Sequence, residues 1–130
     1  MRFSELLTAT AGLIGASAVA LGAVGSHVLR QRLATADYEI YALATIYMLV
    51  HAGVLFGCGI AARQAQPATP FAVAGILLIV GILLFCGGLM GSTAFGMPAL
   101  GRLAPVGGSA LILAWLAIAV AGALNYWRSR

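Results

Sequence analysis

The chain reads as four long apolar blocks separated by short polar links. The blocks cover 6–29, 41–62, 71–95 and 103–126, each near the roughly twenty residues that an α-helix needs to cross the hydrocarbon of a bilayer. The link at 31–39 carries Arg32, Asp37 and Glu39. That at 63–70 carries Gln64, Gln66, Pro67 and Pro70, and that at 96–102 carries Gly96, Pro98 and Gly101. Each has the polar and helix-breaking residues of a turn at a membrane surface. Links this short make successive helices antiparallel neighbours. The pattern therefore predicts an all-α integral membrane protein, a single transmembrane domain over residues 1–130 built as an up-down bundle of four helices.

Composition reinforces this reading. With 62% hydrophobic and only 8% charged residues, the chain has too little polar surface to cover a water-soluble core of its size. A secretory signal is an alternative for the first block, since Arg2 precedes an apolar run containing Ala16, Ala18, Ala23 and Gly25. Glu5 interrupts the positive region that such a signal requires, so the block is read as a span. The net charge of +4 comes from seven arginines spread singly or in pairs between the blocks. They build no basic face, and no nucleic-acid partner is expected; at segment ends they suit lipid headgroups.

Four spans place Arg2, Arg63, Arg128 and Arg130 on one side and Arg30, Arg32 and Arg102 on the other. The excess of one arginine places the termini on the cytoplasmic side. Tyr38 and Tyr41 at the start of the second span, and Tyr126 and Trp127 at the end of the fourth, are expected at headgroup level.

Small residues supply the next pattern. Ala11, Gly15, Ala18, Gly22 and Gly25 recur at steps of four and three along the first span, a stripe on one helix face. Gly81, Gly88 and Ser92 form a similar line on the third span, and Gly107, Gly108 and Ser109 open the fourth. In lipid, helices associate through close van der Waals contact, which such residues permit. These stripes serve packing within the bundle, or contact with a partner if they face outward.

Two histidines carry the candidate chemistry. His51 lies about 15 Å into its span, near the bilayer midplane, where a polar group normally faces another helix or a cavity. Tyr47, one turn earlier, can hydrogen-bond nearby, and Thr45 can bond back to its own helix. His27 occupies the last turn of the first span, a position suited to a helix C-terminus. The two histidines differ in depth by too much to share one iron. Cys58 and Cys86 sit in apolar surroundings without a CxxC pair or a neighbouring His, as packing residues would. No Ser/His/acid set, phosphate loop or intramembrane acidic pair is present, so a non-enzymatic protein without metal or cofactor is expected.

Four segments carry a family resemblance. Gly22-Ala23-Val24-Gly25-Ser26-His27-Val28-Leu29 resembles a GAxGAHxL motif, and Tyr47-Met48-Leu49-Val50-His51-Ala52 a YxxxHA motif. Residues 81–88 are similar to GxLLFSGS and Pro105-Val106-Gly107-Gly108 to TPIGG. Together they resemble a family of small membrane proteins that includes bacterial YgdD-like proteins and, in eukaryotes, transmembrane protein 256. Ser26 stands where the motif has Ala, Cys86 and Gly88 where it has Ser, and Ala104 where it has Thr, which puts in doubt only any role for those hydroxyls. The resemblance implies a multi-span helical protein, marks His27 and His51 as motif positions, and brings no activity with it.

These readings lead first to a small protein that associates through glycine-rich helix faces, as a homo-oligomer or an accessory subunit of a membrane complex. The second is a transporter or channel for a proton, ion or small molecule using His51 and Tyr47. A haem or quinone site using a histidine is third.

Overall fold

The structure, a computed structural model, describes residues 2–65 and 67–128. Arg130 and Gln66, which entered the topology and link readings, lie outside the described residues. The chain is all-α: α1 (Phe3–His27), α2 (Thr35–Gln64), α3 (Thr69–Thr93) and α4 (Ala104–Arg128), with 3₁₀ turns at Leu29–Gln31 and Pro98–Leu103. All four α-helices are long and apolar enough to cross a membrane. Bulky apolar side chains such as Leu13, Ile112 and Leu83 point outward, as a lipid-facing surface requires.

Local chemistry explains the element ends. The Arg2 backbone N–H donates to the Glu5 carboxylate at 3.1 Å, which holds the start of α1. Pro70 stands in the first turn of α3, where its missing N–H costs nothing. α3 ends at Thr93 rather than at the expected position 95. Gly96 then adopts φ 64°, a left-handed conformation that turns the chain back.

The helices pack in chain order: α1 on α2, α2 on α3 and α3 on α4, with α2 and α3 in the middle. Ala11, Ala18 and Gly25, seven residues apart, are buried on α1, which packs mainly on α2. Gly15 faces Ala52 at ordinary van der Waals distance. Gly22 falls to the side of this line and, contrary to expectation, meets nothing. A methyl on Gly25 would sit 2.6 Å from the Tyr41 ring. Tyr41 is likewise not the headgroup aromatic that its position suggested: it is 1% exposed, and its hydroxyl donates to the Leu21 carbonyl at 2.8 Å. Absence of a side chain at Gly25 admits the ring, and the bond ties α2 to α1.

The closest approach joins α3 and α4. A methyl on Gly107 would strike the backbone nitrogen of Phe85, and one on Gly81 would lie 2.6 Å from Leu111. The two helices therefore touch backbone to backbone, as small residues allow in lipid. Gly88, expected to face a spanning helix, instead faces the Pro98–Leu103 turn, where a methyl would be 2.7 Å from the Leu100 carbonyl oxygen. The connector is folded onto α3, and Gly91 makes room for the Leu100 side chain.

Substitution of Gly107 by Ala is expected to destabilise the protein by about 1–3 kcal/mol, because backbone must move to admit the methyl. Gly122→Ala, at a position with open space around it, should cost nothing. Denaturant titration in mixed micelles checks the pair; equal midpoints would refute the close approach.

Candidate functional site

The middle of the bundle is governed by a shortage of hydrogen-bond partners. Thr8, Thr45, Ser92, Thr93, Ser109 and Asn125 each donate to a carbonyl three or four residues back in their own helix. An imidazole needs a partner for each nitrogen, and its own helix supplies one.

His51 is 7% exposed on α2. Its Nδ1 lies 2.7 Å from the Tyr47 carbonyl oxygen, and the Trp115 indole N–H from α4 points at its Nε2 at 3.3 Å. A carbonyl can only accept and an indole N–H can only donate. The pair of partners therefore selects one form: the neutral imidazole with its proton on Nδ1 and its lone pair on Nε2. Among the described residues, no buried side-chain nitrogen or oxygen lacks a partner.

An aromatic cluster surrounds this bond. The Tyr47 and His51 rings stack with centroids 5.6 Å apart, Phe85 of α3 lies 5.1 Å from Tyr47, and Trp115 meets His51 edge-on at 6.2 Å. Between these rings a cleft of about 470 Å³ opens toward the lipid side. Tyr47 and Val50 form one wall, Gly108, Ile112 and Trp115 the other, and Phe85 the back; no charged residue lines it. Gly108 lies beside the Phe85 ring, which a methyl there would meet at 3.5 Å, ordinary van der Waals contact.

His27 is exposed at the end of α1, apart from this cluster. The structure thus brings His51 and Tyr47 together and leaves His27 elsewhere. Cys58 and Cys86 are buried as free thiols, and no group of three or more His, Cys, Asp or Glu converges among the described residues. Trp115 and Phe85 were not singled out from sequence. The available signal was depth: a tryptophan in the middle of a span, rather than at its end, carries an N–H that must find an acceptor.

Similarity to known proteins agrees with a membrane assignment. The profile of a family described as a protein of unknown function (DUF423) matches residues 21–108. The UPF0382 membrane protein YwdK of Bacillus subtilis is 33% identical over 104 residues, covering 80% of this chain and 85% of that one. A UPF0382 membrane protein of Staphylococcus epidermidis is 32% identical over 104 residues, 80% and 84% of the two chains. No solved structure matches.

The interhelical bond has two measurable consequences. Imidazole nitrogen NMR should show His51 as the neutral Nδ1–H form. A double-mutant cycle of His51→Phe with Trp115→Phe should give a coupling of about 0.5–1.5 kcal/mol, the range for hydrogen bonds between membrane helices. A coupling of zero would mean that the two residues act independently.

Proposed function

The chain belongs to the DUF423 family of membrane proteins, and from that premise we propose that it is a non-enzymatic protein acting by association, with a second copy or as an accessory subunit of a larger membrane complex. The observation that carries this reading is the direction of two glycines on α2. Gly25, Gly59, Gly75, Gly81, Gly88 and Gly107 are occupied by internal packing. Gly53 and Gly57 are exposed, one turn apart, with nothing within 4 Å of an added methyl. A small-xxx-small pair facing lipid lets another helix approach its backbone closely.

Transport through His51 draws no support from this geometry, since both imidazole nitrogens are committed to partners on α2 and α4. We further assign the chain to a bacterial inner membrane, on its likeness to bacterial membrane proteins, with cytoplasmic termini on the arginine distribution. The four motif segments support grouping it with YgdD-like proteins and transmembrane protein 256.

Energy transfer between donor- and acceptor-labelled chains in liposomes tests the association. The natural chain should show transfer that rises with protein-to-lipid ratio. Gly53→Leu with Gly57→Leu should weaken association at least tenfold. A natural chain that stays monomeric at every ratio, and that carries no other protein through mild-detergent purification, would overturn the proposal.

A further inference from the structure

Tyr47 presents an unmet need at the cleft. It lies about 18 Å along α2 from Thr35, one turn nearer that end than His51. The Tyr47 backbone carbonyl accepts from His51, while its hydroxyl takes part in none of the hydrogen bonds among the described residues. The side chain is 39% exposed on the cleft wall. On the open side of the cleft, hydrocarbon cannot supply the missing acceptor. Ser17 on α1 is a further polar side chain on an exposed helix face, but it lies outside the cleft.

The other polar atoms at the cleft are already used. His51 Nδ1–H and the Trp115 N–H are donated within the protein, and Nε2 of His51 accepts. The cleft therefore offers flat aromatic surfaces, one free O–H and no counter-charge. Amines and carboxylates gain nothing there, because a charge would enter hydrocarbon without an ion partner. An acyl chain fills space and leaves the hydroxyl unpaired. A neutral flat ring bearing a carbonyl satisfies both demands: it stacks on Tyr47, Phe85 and Trp115 and accepts from the phenol. The volume of about 470 Å³ lies within the usual range for small-molecule sites.

We propose that the cleft between α2 and α4 binds a membrane-dissolved quinone-type ring, with the Tyr47 hydroxyl donating to one ring carbonyl. Binding is non-covalent and leaves His51 in its structural bond. The role differs from a histidine-held quinone, because the imidazole has no free atom to offer.

The full chain carrying Trp127→Phe, so that Trp115 is the remaining tryptophan, is reconstituted in excess lipid and titrated with a short-chain benzoquinone. Saturable quenching of Trp115 emission is expected. Tyr47→Phe should weaken binding about five- to tenfold, the value of one hydrogen bond. Gly108→Leu should abolish saturation by filling the cleft, and it stands as a second test if Tyr47→Phe does not fold. A parallel sample with Gly53→Leu and Gly57→Leu should bind the ring equally well, which separates this site from association. Quenching that only follows partition into lipid would overturn the proposal. So would an affinity unchanged in Tyr47→Phe, or equal displacement by the same tail without its ring.

Discussion

Contact between the backbones of α3 and α4 at Gly107 fixes the geometry of the cleft and its bond. With no side chain at that position, α4 settles against residues 84 and 85 of α3. One turn further, Leu111 drops onto Gly81. These two contacts set both the distance and the rotation of α4. Its next turn then carries Trp115 past α3 to the imidazole on α2. The bond between α2 and α4 is thus a consequence of how closely α4 approaches a third helix. Gly107 is remote from His51 in contact, yet it determines whether the indole reaches it.

A second constraint is the cost of an unpaired polar group in hydrocarbon. Most short polar side chains avoid it locally by bonding to their own helix, which ties nothing together. Among the described residues, Tyr41 and Trp115 bond across helices instead, Tyr41 to the Leu21 carbonyl of α1 and Trp115 to His51. Both bonds have one end on α2. That helix therefore anchors α1 near one membrane face and α4 near mid-depth, while α3 is held chiefly by close packing at glycines.

How much of this was legible follows from the solvent. Four helices could be read because a bilayer demands long apolar runs and short polar links, and both are plain in the sequence. Facing directions were not legible, because in lipid the outer surface is as apolar as the core and hydrophobic periodicity loses its meaning. Gly22 and Gly25 look alike in the chain, yet one meets open space and the other the ring of Tyr41. Tyr41 sits where interfacial aromatics sit, and only the gap at Gly25 makes it a core residue. His51 was visible as a polar group at the wrong depth. Its partner Trp115 was equally deep, but its size and apolar body let it pass as one more hydrophobe.

The same reasoning separates structural from available groups around mid-depth. His51 was the obvious candidate because histidine can titrate and ligate, but its two partners consume both nitrogens. Tyr47 drew notice as the neighbour of His51, yet its hydroxyl is the polar group that the cleft leaves over. In a membrane protein, conventional reactivity is therefore a poorer guide than hydrogen-bond accounting. A group whose bonds are complete stabilises the fold, whereas a donor left over in a cavity defines what the cavity can hold. By that criterion the chemistry of this chain shifts by one helical turn, from the imidazole to the phenol beside it.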